Sequence, residues 1–180
     1  MRILAAVAVL PAWTALARDT ADPGVPERNV KAAFLYKFLG YTDFPAAVFG
    51  DANAPVVIGV VGADDIAAEL GRIVDGRNVN GRPIVVRVGR ESEPMAGVHL
   101  LFVGGADSAR VARLLKALPQ QPMLLVTESE NGLQNGSVIN FKLVDARVRF
   151  DVSLEAAERH SIKLSSRLLT VAHQVVRGSP

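Results

Sequence analysis

The side chains best able to do chemistry in this chain are three histidines, a Ser165-Ser166 pair and a few acidic doublets. His99 opens an apolar, strand-like run, His160 sits among loop residues, and His173 falls on the last predicted helix. No two of them stand at the close helical spacing of a metal pair. No carboxylate cluster accompanies any of them, so the convergent ligands of a zinc site are missing. The chain has no cysteine, which removes thiolate ligands and thiol nucleophiles. Serine catalysis requires a nucleophile on a strained turn with a base beside it, and no G-x-S-x-G elbow occurs. Ser165-Ser166 precedes an apolar helical run, where a serine satisfies free backbone N–H groups. Gly59-Val-Val-Gly62 has neither the G-x-G-x-x-G order nor the P-loop lysine of a nucleotide site. Asp64 and Asp65 would repel an anion at the helix start that follows it, and Asp107 does the same after Gly104-Gly105. Asp64/Asp65 and Glu128/Glu130 read as caps and solvated surface. No catalytic set assembles, and no cofactor or metal is expected.

The elements that would carry these residues come from patterning. The 180 residues suit one domain, with 49% hydrophobic and 21% charged positions. Twenty basic against eighteen acidic residues leave no concentrated basic face, which argues against nucleic-acid binding. Arg2, the apolar run Ile3–Leu10 and Ala15-Leu16-Ala17 have the order of a secretory leader, so residues 1–17 are expected to be removed on export. Residues 18–26, with two prolines, read as a loose tail, and 27–177 as the domain. No later run is long enough to span a membrane.

From Glu27, the residues Val30, Phe34, Phe38 and Tyr41 recur at helical spacing, widened by Ala33 and Leu35, and Pro45 is expected to stop the helix. Strands are expected at Pro55–Gly62, Ile84–Val88 (Val79 extending it), His99–Val103 and Met123–Thr127. Between them fall a helix capped by Asp64 or Asp65, turn chemistry from Gly76 to Gly81, and a helix capped by Asp107 or Ser108. The alternation implies parallel strands with helices on both faces. Val138–Val144 and Val148–Val152 then alternate as an antiparallel hairpin, although Asp145-Ala146 is a weak two-residue turn. Ser153 caps a short helix, and Ser165 caps a last one with Leu168, Leu169, Ala172, Val175 and Val176 inward. The expected fold is therefore a single three-layer α/β domain, a mostly parallel sheet with a C-terminal antiparallel hairpin.

The segment Val30–Pro45 holds five of the chain's ten aromatic residues. One helix face can bury Phe34 and Phe38, whereas Tyr36 and Phe44 need not lie on it. Aromatics left partly exposed serve as interface anchors, because they bury large areas at low entropy cost.

Val30-Lys-Ala-Ala-Phe-Leu-Tyr-Lys-Phe followed by Asp43-Phe44-Pro45 resembles the opening motif of the YfiR family of periplasmic proteins. The strands Ile58-Gly-Val-Val-Gly62 and His99-Leu-Leu-Phe-Val103 are similar too. So are Arg147-Val-Arg-Phe-Asp-Val-Ser-Leu-Glu-Ala-Ala157 and Ile162-Lys-Leu-Ser-Ser-Arg-Leu-Leu169, in the family's order over about Arg28–Val176. Two departures stand out. Relatives carry cysteines that form disulfides, so without cysteine neither disulfide-based redox control nor a covalent dimer applies here. The family usually has tryptophan where this chain has Phe44, which keeps an aromatic but loses the indole N–H. The resemblance implies repression by sequestration: a periplasmic protein holding the periplasmic sensor domain of an inner-membrane diguanylate cyclase, or a related signalling protein, inactive and so lowering cyclic di-GMP signalling and biofilm formation. Such a repressor needs only tighter binding to the off state. Motif matching and exposed-aromatic logic place the partner contact on Phe34, Tyr36, Phe44, Phe150, Ser165, Ser166 and Arg167. A homodimer is compatible with this reading. The alternative is a periplasmic small-ligand binding domain, using the crevice that open α/β sheets offer at their strand ends.

Overall fold

The computed structural model describes residues 26–178 apart from 52, 92 and 94; the expected leader and all but the last residue of the tail lie outside them. Helix α1 (Glu27–Leu39) ends at Gly40, well short of the proline expected to stop it. It buries Lys31, Ala32, Leu35, Phe38 and Leu39, while Tyr41 falls beyond its end. A two-residue strand β1 (Thr42–Asp43) and a 3₁₀ turn (Ala46–Phe49) follow.

The eight-stranded sheet comprises β2 (Val56–Val61), β3 (Asn78–Val79), β4 (Arg82–Gly89), β5 (Leu100–Val103), β6 (Leu124–Thr127), β7 (Ile139–Val144), β8 (Arg147–Ser153) and β10 (Gln174–Val176). Its spatial order is β10-β8-β7-β6-β5-β2-β4-β3. Strands β4, β2, β5, β6 and β7 run parallel, as the continuous apolar runs of β2, β5 and β6 require of strands covered on both faces. Val79 does not extend the second strand. It turns back at Asn80-Gly81, both at positive φ, to pair antiparallel with Arg82. The β7–β8 hairpin closes in two residues after all, because Asp145 and Ala146 both adopt left-handed φ (50° and 56°).

Between β2 and β7, two of the crossovers carry helices. Helix α2 (Asp64–Val74) links β2 to β3 and β4, and α3 (Ser108–Ala117) links β5 to β6. Extended and turn-rich segments make the β4–β5 and β6–β7 links, so strand and helix do not alternate at every step. Neither aspartate caps α2, whose cap position is Ala63. Asp107 does cap α3, accepting from Arg110 N at 3.0 Å.

Helices α1 and α2 pack side by side on one face. Phe102 of β5 meets Phe141, which in turn meets Phe34 of α1, so this face holds the alternate residues that include Val60. Val61 points the other way and shares a hollow with Leu114 of α3. Helices therefore cover both faces, but α3 covers only part of its own.

The C-terminal segment departs most from expectation. Ser153 caps α4 (Leu154–Arg159) and Ser165 caps α5 (Ser166–Val171), as predicted. However, α5 stops after six residues. Val175 and Val176, expected on its inner face, instead lie in β10, paired parallel with β8. The open edge of β8 satisfies their backbone groups, and that outweighs helical spacing.

Candidate functional site

The strand β9 (Lys163–Leu164) forms a separate ribbon with β1, in the register Thr42↔Leu164 and Asp43↔Lys163. Ser165 N extends it by donating to Tyr41 O at 2.9 Å. Two segments about 120 residues apart in sequence are thereby held side by side. The ribbon is anchored from below: Thr42 is buried and its hydroxyl donates to Phe38 O at 2.8 Å, so the strip is fixed to the end of α1. Ser165 accepts from Leu168 N at 3.4 Å, which locks the start of α5 against the ribbon. Above these anchors, Tyr41 (38% exposed), Asp43, Lys163, Ser166 and Arg167 are open to solvent.

The seven residues expected to contact a partner divide into three groups. Ser165, Ser166 and Arg167 lie on this strip, and Phe44 continues it from β1. Phe44 is half-buried, edge-on to Phe49 (6.2 Å) and His99 (6.1 Å). Tyr36 lies on another side of α1, with the Arg77 guanidinium over its ring at 5.4 Å. Phe34 and Phe150 belong to one aromatic nucleus: half-buried Phe34 sits edge-on to Phe150 at 5.4 Å, and Phe150 is only 2% exposed. Phe150 is a core residue, because the inward face of β8 lies under α1. Tyr41 and Lys163, which were not among the expected contacts, also lie on this strip. Tyr41 continues the helical spacing of α1, and only the early stop at Gly40 turns it outward.

His99 braces the strip from within. It is buried, accepts from Val57 N at 3.1 Å through Nδ1, and stacks on Phe49 at 4.7 Å; Arg82 covers that ring from 4.2 Å. Burial pushes its pKa below 6.5, assisted by the Arg82 charge and opposed by a hydrogen bond to the Val48 backbone. His160, the C-cap of α4, is likewise pushed down by burial; a bond to the Gln121 backbone opposes this and Arg159 adds to it. Both imidazoles fold neutral and bind protons more readily once unfolded. Their contribution is intact above about pH 6.5 and is lost as pH falls through the folded values. The melting temperature is expected to drop between about pH 7.5 and 5, and a flat profile in thermal melts would contradict this assignment.

The crevice at the C-terminal ends of β2 and β5 is filled by the protein itself. Arg110 Nη1 donates to Gly104 O at 2.8 Å, its guanidinium occupies the space beside Gly62, and it pairs with Glu91. Glu128 Oε1 accepts from Gly105 N at 2.6 Å, and Glu128 Oε2 binds Lys31 Nζ at 2.5 Å. Desolvation alone would lower the Lys31 pKa, but the bonds to Glu128 and Glu27 hold it above its usual value. Between β2 and β5, ion-paired side chains thus occupy the strand-end crevice where a small ligand was expected. His173 is not on the last helix: it follows α5, with Nδ1 3.0 Å from Asp151 Oδ1. Among the described residues, no three His, Asp or Glu side chains gather as a metal site would require.

Fold and site define a mixed α/β protein with a mostly parallel eight-stranded sheet and an exposed strip built from two distant segments. The chain belongs to the YfiR/HmsC-like family, which matches residues 28–173. That membership associates it with regulators of cyclic di-GMP signalling. No protein of curated function matches it. No helix of the described residues is long and apolar enough to cross a membrane.

Proposed function

We infer that the protein is a periplasmic regulator that represses an inner-membrane diguanylate cyclase by binding the cyclase's periplasmic sensor domain through the Tyr41–Phe44/Lys163–Arg167 strip. The observation that carries this reading is the β1–β9 pairing, which joins the two family-like motifs into one exposed surface. Tyr41 and Arg167 are of the residue types enriched among binding hot spots, and Phe44 adds a half-buried aromatic at the end of β1. The energetics are within reach of so few anchors. Shifting a two-state partner from mostly on to mostly off needs about 5.5 kcal/mol of differential affinity, and hot-spot side chains contribute about 2–4 kcal/mol each. No bond-making step is needed from the repressor, since it acts by stabilising one conformation.

Arg167→Ala and Tyr41→Ala are each expected to weaken binding to the cyclase's periplasmic domain at least about tenfold. Both side chains are exposed, so the melting temperature should stay within about 2 °C of the parent. Cellular cyclic di-GMP should rise in step. If both variants capture the cyclase from membranes as tightly as the parent, the strip is not the contact surface.

A further inference from the structure

A cleft of about 440 Å³ lies on the sheet face that carries α3, lined from β7, β8, β10, the β6–β7 link and Arg159 at the end of α4. We propose that this cleft is a binding site for a small, neutral, hydroxyl-rich molecule of the polyol or monosaccharide class.

Polar side chains rarely enter a protein interior without purpose. Of the nine buried polar or charged residues among those described, Thr127, Ser129, Ser137, Asn140, Asp151 and Ser153 either line this cleft or border its lining residues in the same sheet region. Part of this polarity is structural. Thr127 Oγ1 donates to Asn140 Oδ1 at 2.7 Å and lies 2.9 Å from Ser137 Oγ. Gly132 brings the β6–β7 link down so closely that a Cβ there would collide with both Thr127 Oγ1 and Asn140 Oδ1. The remainder is unspent. Ser129 is 1% exposed, lines the cleft, and its hydroxyl has no partner. A buried hydroxyl without a partner costs free energy that a ligand hydroxyl would recover. Ser153 Oγ accepts from Ala156 N at 3.2 Å, which leaves its own proton free.

Charge decides the ligand class. The Glu128 carboxylate is matched by Lys31, Asp151 by Lys142 and His173, and Arg159 by Glu155. The remaining lining charge, Glu130, has no ion-pair partner among the described residues but is exposed and solvated at the mouth, so the buried part of the cleft does not demand a charged ligand. What it offers is interleaved donors and acceptors on amide, hydroxyl and carboxylate groups, including Gln174 on the edge strand, which suits hydroxyls that donate and accept at once. Leu133 and Val176 supply apolar wall for a C–H face. The size falls within the range of small-molecule sites. The cleft shares no residue with the Tyr41–Arg167 strip, so this proposal stands or falls apart from the repressor reading.

The test is an amide-resolved NMR titration of the whole protein with myo-inositol and D-glucose. Saturable shifts are expected at Ser129, Glu130, Asn140, Ser153 and Gln174, with a Kd of about 0.1–1 mM for a ligand of this size. Ser129→Ala should keep the parent's melting temperature and weaken binding about fivefold, and the exposed Gln174→Ala should weaken it similarly. Shifts that do not saturate, or that map elsewhere, overturn the proposal. So does parent-like affinity in both variants. Tighter binding of acetate or tetramethylammonium at the same amides would overturn the neutral class.

Discussion

Replacing Phe38 by alanine is expected to destabilise the protein by about 3–5 kcal/mol, the usual cost of emptying a fully buried aromatic position. Phe38 is 1% exposed and its ring touches three others: Phe34 at 5.8 Å, Phe141 at 5.8 Å and Phe150 at 5.0 Å. These contacts fasten α1 to the β7–β8 hairpin, and the Phe38 backbone carbonyl also receives the Thr42 hydroxyl that anchors the strip. The cavity would therefore loosen both the core and the base of the candidate contact surface. For a domain of this size, the melting temperature should fall by roughly 10 °C or more. Phe34→Ala serves as the comparison. Its ring is half-buried, so the loss should be smaller by about half. Equal losses for the two variants in denaturant titrations would show that the aromatic nucleus is not centred where the structure places it.

The second large effect is expected at Lys31. This residue is buried on the inner face of α1 and binds both Glu27 and Glu128. Its removal leaves the Glu128 carboxylate partly buried, with only the Gly105 N–H to answer it. Breaking such a pair from one side costs about 2–4 kcal/mol, because the remaining charge keeps its desolvation penalty. Lys31→Ala should be the more damaging change, and Lys31→Met with Glu128→Gln should recover most of the loss, since the orphaned charge is then gone. The raised pKa of Lys31 means that its contribution is complete below the unfolded value near 10.4 and fades only as pH rises through the folded one. The effect is therefore the same at pH 6 and pH 8. A double-mutant cycle that returns additive losses would sink the pairing.

Much of the scaffold was legible because its signals are local. Strands β2, β5 and β6 announce themselves as unbroken apolar runs ended by glycine or a polar residue, a pattern that few other elements share. Asp107, Ser153 and Ser165 cap the helices they precede, since a cap depends on three or four consecutive residues. The alternation of Ile139–Val144 against Arg147–Ser153 specified the hairpin and its inward face. Family-like motifs were legible for the same reason, as short strings in a fixed order.

Tertiary structure decided what those strings do for one another. The sequence shows an aromatic segment and a Ser-Ser-Arg segment, but only the β1–β9 ribbon makes them neighbours. It shows Phe150 as an aromatic in a strand, but only the packing of α1 buries it. Val175 and Val176 satisfy helical spacing, yet the free edge of β8 draws them into a strand. The strand-end crevice is implied by topology, and its occupation by Arg110, Glu128 and Lys31 is not. The physical reason is common to all four. Local propensity is worth tenths of a kcal/mol per residue, whereas pairing an open edge or burying a ring is worth several times that. Those stronger interactions depend on residues far away in the chain.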